Sequence, residues 1–416
     1  MSTPTQKPKD LFLLEGISHL CFNKDYTQAA LSKKDNIIYI YSVKDLLKTD
    51  TWKLLHKLES HYQYISGLDW CPETNRILSC SYDKTSFVWD LTDGKWVPSN
   101  VVWTTKLGYL CCKWNKRGDK FCEGTSSKHL LIGYYNEETN WWMCKAIRVP
   151  KKKDENAQEE TKKESKKETK KETKKESKKE SKKERKKEKE ETQNLHKSSV
   201  VACEIDSSSL YVISGSTDLR VYVSSCYIPE IDDQFLTEEQ KAATVPFGQV
   251  IYEFKENSWI NSVTWLPSGD RGVVAGQDAV ILVLNPKEEK DKQTEIIKCK
   301  HSPATMIIPK DDNSFYAICY DRNIIEYEKK EDTWEIKKII TAKKEGTDNK
   351  AKTTIGGSVS AALQKFQKMG EIKKENLAVT TKQASHLHKS VISSCNIKGN
   401  EMITTDLSGF VKYWKL

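Results

Sequence analysis

The stretch that decides the fold is residues 61–90, HYQYISGLDWCPETNRILSCSYDKTSFVWD. Apolar residues alternate over 65–70, recur over 77–80 and recur again over 87–89, while 72–75 and 82–84 carry turn-forming residues. Apolar alternation with a period of two is typical of β-strands, and clusters of Pro, Asn, Asp and Ser mark the turns between them. The stretch therefore predicts an antiparallel meander of three short strands.

The end of the chain repeats this order. Residues 387–416 read LHKSVISSCNIKGNEMITTDLSGFVKYWKL, again a histidine, a strand, a turn at 398–400 and two further strands. The distance from histidine to tryptophan is 28 residues in the first copy and 26 in the last. Repeats of this kind are typical of WD40 propeller blades.

A polar network is expected inside each well-formed copy. In the first copy His61, Ser79, Asp83 and Trp89 can link by hydrogen bonds, which ties a turn to the strands of a sheet too small to hold itself by burial alone. The same structural role, without catalysis, is expected of a further set in other copies: His196, Ser214, Asp218, His388, Thr404 and Trp414.

Weaker copies fill the chain between these two. Turn aspartates mark three of them, at Asp35, Asp278 and Asp321. Another copy, 111–135, keeps Trp114 but lacks the turn aspartate. Ser224 stands where tryptophan is expected in one blade, and Ser408 where aspartate is expected in the last. Those two blades should rely more on packing than on the network.

The length predicts seven blades. Setting aside 151–191, 225–244 and 341–385 leaves 310 residues, and a WD40 blade takes roughly 40–45. We predict an all-β, seven-bladed WD40 propeller spanning 1–416 as one domain. Its insertions are a charged segment (151–191) between blades 3 and 4, a loop (225–244), and a connection (341–385) between blades 6 and 7.

Most of the basic charge sits in one segment. Of the net charge of +9, residues 151–191 contribute +6, from 18 Lys and one Arg against 12 Glu and one Asp. The segment has no apolar face to bury, and its four-residue period places like charges at i,i+4, so disorder is expected. An insertion in a surface loop without a binding function is favoured over a tether for acidic filaments, membrane or RNA. Aromatic residues that would stack on bases are lacking, so no nucleic acid is expected.

A short helix is predicted at 358–369, within the third insertion. Val359, Ala362, Leu363, Phe366 and Met369 form one apolar stripe at helical spacing. A helix of about twelve residues is marginal alone in water, so the stripe needs a surface to cover it. That surface is either the chain's own propeller or a partner.

The sequence favours no chemistry. It contains no phosphate-binding loop, nucleophile elbow or HExxH motif, and the 12 cysteines show no metal-ligand spacing. His386 and His388 alternate as on one face of a strand, but no third ligand is near in sequence, so no metal site and no cofactor are predicted. No apolar stretch is long enough to span a membrane, and 1–10 lack a signal-peptide core. A non-enzymatic protein of the reducing cytoplasm is expected.

Several segments carry a more specific likeness. They are the blade at 61–89, NEETNWWMCKAI, VPFGQVIYEF, LQKFQKMG and LHKSVIS. In these the chain resembles the WD40 subunit family (subunit 1) of the actin-related protein 2/3 complex, which nucleates branched actin filaments. The 151–191 segment departs from that family's pattern.

The resemblance implies a non-catalytic propeller in the actin-rich cortex that holds neighbouring subunits and receives the acidic tails of nucleation-promoting factors. It also implies that the 358–369 helix contacts actin of the mother filament, through Val359, Leu363, Phe366 and Met369. The alternative is a free-standing WD40 adaptor in a ubiquitin-ligase or signalling assembly.

Overall fold

In a computed structural model of the chain, the described residues are 11–12, 16–46, 51–151, 192–286, 288, 293–331, 333–340 and 388–416. They fold into seven four-stranded antiparallel sheets and one two-stranded ribbon.

Each sheet is one blade, and in blades 1 to 6 the strands pair in chain order from the innermost to the outermost. Blade 1 comprises Ile17–Phe22, Gln28–Lys33, Ile37–Ser42 and Lys53–Glu59. Blade 2 comprises Ile65–Trp70, Ile77–Ser81, Ser86–Thr92 and Lys95–Asn100. Blade 3 comprises Tyr109–Trp114, Lys120–Thr125, Leu130–Asn136 and Trp141–Ala146. Blade 4 comprises Val200–Ile205, Tyr211–Ser216, Arg220–Ser225 and Val250–Lys255. Blade 5 comprises Ile260–Trp265, Gly272–Gly276, Val280–Leu284 and Thr294–Lys298. Blade 6 comprises Ala304–Asp311, Ser314–Cys319, Ile324–Lys330 and Thr333–Ile340.

Blade 7 joins the two ends of the chain. Ile392–Lys398, Glu401–Asp406 and Phe410–Lys415 supply three strands, and Leu11–Phe12 adds the outermost one, with Leu11 opposite Val411. The first strand of the chain thus completes the sheet formed by the last three strands, and this pairing closes the ring. The predicted seven-bladed propeller is confirmed.

The core is divided among the seven junctions between blades. Seven clusters of buried apolar side chains each draw on two neighbouring blades. One close approach between blades lies at the innermost strand of blade 2. A Cβ at Gly67 would lie 2.9 Å from the backbone nitrogen of Cys112, so only glycine lets blade 2 pack this tightly on blade 3.

The predicted loop at 225–244 contains helices. Pro229–Asp232 forms one α-helical turn, Asp233–Phe235 a 3₁₀ turn and Glu238–Ala242 a second short helix. Thr237 caps that helix in a capping box with Gln240, and this T-x-x-Q signature was readable in the sequence.

Next to this insertion, a two-stranded ribbon extends from the junction of blades 3 and 4. Arg148–Pro150 pairs antiparallel with Thr192–Asn194, so the chain on either side of 152–191 runs side by side.

Candidate interaction surfaces and the networks that position them

The four residues singled out in the first repeat lie together in blade 2. His61 Nε2 is 2.9 Å from Ser79 Oγ, and His61 Nδ1 is 3.1 Å from an Asp83 carboxylate oxygen. Trp89 Nε1 donates to Ser79 Oγ over 2.9 Å. The Asp83 carboxylate also accepts the backbone N–H of Tyr62 and of Thr85. One buried carboxylate thus fixes both the turn after the second strand and the connection from blade 1.

This network makes the blade sensitive to acid. Burial by itself would raise the pKa of Asp83, but hydrogen bonds from His61, Thr85 and Tyr62 N–H outweigh it and lower the pKa below its usual range. The pKa of Asp218 and that of Asp406 are lowered by the same balance. A carboxyl with a lowered folded-state pKa contributes stability above its unfolded-state pKa and loses it as pH falls. Stability should therefore decline below about pH 4.

Replacing Asp83 with alanine should lower the free energy of unfolding by about 1–3 kcal/mol, because several buried donors lose their acceptor. Urea denaturation at pH 7 measures this. Glu73→Ala, in another turn of the same blade, is the matched control. Glu73 forms an exposed ion pair with Lys24, and losing it should change the stability little. Equal stability of the two variants would show that the network contributes nothing.

Blade 4 holds three of the four residues. His196 Nε2 is 2.9 Å from Ser214 Oγ, and Nδ1 is 3.2 Å from Asp218. Ser224 occupies the position of the tryptophan, and its buried hydroxyl makes no hydrogen bond to the described residues. The predicted departure at Ser224 is therefore present. The ring of Tyr222 packs edge-on against His196 at 5.0 Å.

Blade 7 contradicts the expectation for Ser408. His388 bonds Thr404 (2.7 Å) and Asp406 (3.1 Å), and Trp414 donates to Thr404 (2.8 Å). Asp406, two residues before Ser408, accepts the backbone N–H of both Ser408 and Phe410. The network is complete because this carboxylate reaches forward into the turn from the end of a strand. The TTD triplet at 404–406 was the available signal.

Two blades replace network residues by glutamates. In blade 5 Glu256, four residues before the first strand, takes the histidine's place opposite Asp278; burial raises its pKa and the Asp278 carboxylate raises it further. In blade 3 Glu123 lies at the position of Ser79. It reaches out of its own blade to the hydroxyl of Ser86 in blade 2.

One face of the ring carries the turns between second and third strands and the connections between blades. We call it the loop face. Its most exposed apolar side chains are Tyr62 (87%), Trp259 (59%) and Leu107 (52%). The same turns and connections carry exposed lysines: Lys34, Lys84, Lys106, Lys128, Lys197 and Lys389. Asp83, Asp218 and Asp406 turn inward to their networks, and this face carries both exposed lysines and exposed apolar side chains.

The opposite face has a cavity of about 280 Å³ at the ends of the innermost strands. Trp70, Trp114 and Trp265 contribute to its wall. Lys113 pairs there with Glu204 at 3.1 Å. The charged side chains that line the cavity are of both signs. Across the described ranges, no group of three His, Cys, Asp or Glu side chains could hold a metal ion.

The remaining predictions fall elsewhere. Val359, Leu363, Phe366, Met369 and His386 lie outside the described residues. No helix in the described part of the chain is long and apolar enough to cross a membrane.

Comparison with known proteins agrees with this architecture. The model of the family described as "WD domain, G-beta repeat" matches residues 52–90, which cover the end of blade 1 and most of blade 2. Actin-related protein 2/3 complex subunit 1A of Arabidopsis thaliana is 24% identical over 419 residues, covering 97% of this chain and 94% of that protein. The chain resembles subunit 1 of this complex.

Other relatives extend the likeness across kingdoms. Subunit 1A-A of Xenopus laevis is 26% identical over 313 residues, covering 74% of this chain and 70% of that protein. Subunit 1 of Schizosaccharomyces pombe is 20% identical over 316 residues, covering 75% and 71%. The resemblance to the subunit 1 family predicted from sequence segments is confirmed.

Proposed function

We propose that this chain is the propeller subunit of an actin-related protein 2/3 complex, a non-catalytic scaffold in the actin-rich cortex of the cytoplasm. The observation that carries the proposal is the match to a subunit 1 protein over 97% of the chain. A ring closed by its own two ends supports it, because such a rigid body can hold several neighbours on its faces and rim.

Co-purification tests this proposal. Affinity purification of the tagged full chain from native extract should recover two actin-related proteins in constant ratio. A lone monomer, or a chain recovered with ubiquitin-ligase or signalling components, would favour the adaptor instead. Loss of partners on RNase treatment would point to nucleic acid.

The loop face is the candidate receiver of activators. Acidic tails of nucleation-promoting factors need cations for their carboxylates and apolar contacts for affinity. Lys84, Lys106 and Lys197 with Tyr62 and Trp259 supply both kinds of contact. Binding of an acidic tail peptide to the complex should weaken with added salt and with Lys→Glu changes at these positions.

The mother-filament contact stays a prediction of the 358–369 segment. Changing Leu363 and Phe366 together to aspartate should abolish branching while the complex still assembles, because charges would replace the apolar anchors of the contact. Branch counts by fluorescence microscopy, with gel filtration of the complex, measure both. A double variant that branches normally would remove the assignment. Gln364→Asp with Gln367→Asp adds the same charge off the stripe and serves as the control.

A further inference from the structure

The insertion between the third and fourth strands of blade 4 is anchored from inside. We call residues 227–247 the blade 4 insertion. Ile228 and Ile231 pack into the core between blades 3 and 4. Further along, 234–243 are exposed except for Leu236 and Lys241, which are half-buried. A largely solvated projection thus stands on a buried base.

An ion pair without solvent contact holds that base. The side chains of Lys120, in the second strand of blade 3, and Asp232 are both 0% exposed, and Nζ lies 2.7 Å from a carboxylate oxygen. Lys120 Nζ also donates to the backbone carbonyls of Ser209 (2.6 Å) and Cys226 (3.1 Å). Asp232 accepts from Ile228 N–H over 2.7 Å. The turn is therefore fixed to blade 3 from several directions.

Arg117 connects this buried pair to the surface. Its guanidinium bonds the second oxygen of Asp232 and also bonds Asp119 over 2.8 Å. The same guanidinium lies over the ring of Phe235, 4.4 Å from the centroid. Phe235 is nevertheless 54% exposed. A large ring is thus held in one place with about half of its surface facing solvent.

A solvated loop does not need a buried ion pair to attach it to the propeller. Removing two charges from water is costly, and apolar residues of similar size often stabilise a fold as well as a buried ion pair does. What the pair and its directional bonds add is a fixed orientation of the projecting turns. Fixed orientation lowers the entropy lost on binding, and exposed, positioned aromatic rings are typical anchors of interfaces.

The charges of the insertion indicate the partner. Glu230, Glu238 and Glu239 are exposed; Glu238 pairs with Lys241, the insertion's one basic residue, at 2.7 Å, and Glu230 lies 4.0 Å from Lys145 of blade 3. The insertion itself carries five acidic residues, Glu230, Asp232, Asp233, Glu238 and Glu239, against that one lysine. We propose that the blade 4 insertion docks onto a neighbouring subunit that presents lysine or arginine side chains around an apolar socket for Phe235. This inference rests on the proposed complex membership.

Assembly of variants tests the proposal. The full chain and its variants are titrated into the complex lacking this subunit, and association is measured at two salt concentrations. Phe235→Ala and Glu238→Lys with Glu239→Lys should each weaken association about tenfold or more, and the charge reversal should do so more at low salt. Glu137→Lys with Glu138→Lys, an equal charge change in an exposed turn of blade 3, is the matched control.

Hydroxyl-radical footprinting gives a second reading. Oxidation of Phe235 should fall severalfold when the chain enters the complex, and all variants should melt within a few degrees of the parent because the changed side chains are exposed. Variants that associate like the parent, with Phe235 still oxidised in the complex, would overturn the inference and leave the proposed function intact. A parent chain that does not associate would defeat both.

Discussion

Replacing Asp232 with alanine is expected to lower the free energy of unfolding by about 3–5 kcal/mol. The change leaves the ammonium of Lys120 buried without its counter-charge, and breaking a buried ion pair from one side costs about this much. It also removes an acceptor from Arg117 and from Ile228 N–H. Chemical denaturation followed by tryptophan fluorescence measures the loss.

Two further variants separate the charge from the packing. Lys120→Met with Asp232→Leu removes both charges and should recover much of the stability, since a buried ion pair can often be replaced by apolar side chains of similar size without loss. Asp233→Ala, the next residue along, is half-buried and should cost much less. If Asp232→Ala loses under 1 kcal/mol, the ion pair is not what holds the insertion.

Replacing Glu123 with glutamine is expected to stabilise the protein relative to the parent, and the more so the higher the pH. The difference in the free energy of unfolding should be on the order of 2–4 kcal/mol at pH 8. Burial raises the pKa of Glu123 to about 8, although bonds from Ser86 and Cys144 lower it in part. The protonated carboxyl therefore contributes stability at low pH, which is lost as pH rises from about 4.5 through about 8. Glutamine keeps the shape and cannot ionise.

Unfolding free energies of both proteins from pH 5 to pH 8.5 show the effect. The difference between them should grow with pH and level off above the folded-state pKa. Glu138→Gln, on an exposed turn of the same blade, controls for the removal of a charge. Parallel curves for the parent and Glu123→Gln would mean that this carboxyl does not titrate in that range.

Sequence spacing was sufficient to predict a hydrogen-bond network whose members all lie in one blade. His61, Ser79, Asp83 and Trp89 lie within 29 residues, and local strand alternation places them correctly. The same reasoning failed at Asp406 because it assumed that the aspartate must sit in the turn, whereas a carboxylate at the strand end reaches the same donors. Glu256 was missed because a glutamate in the histidine's place breaks the residue pattern but keeps the position.

The sequence by itself determined the seven-bladed ring, since period-two alternation and repeat spacing are properties of neighbouring residues. Only the tertiary structure revealed the pairing of Lys120 with Asp232, 112 residues apart, and of Glu123 with Ser86 across a blade boundary. Each pairing depends on which faces of two sheets meet after the ring has closed. Burial then sets the energy of those charges, and burial is a property of the packed molecule.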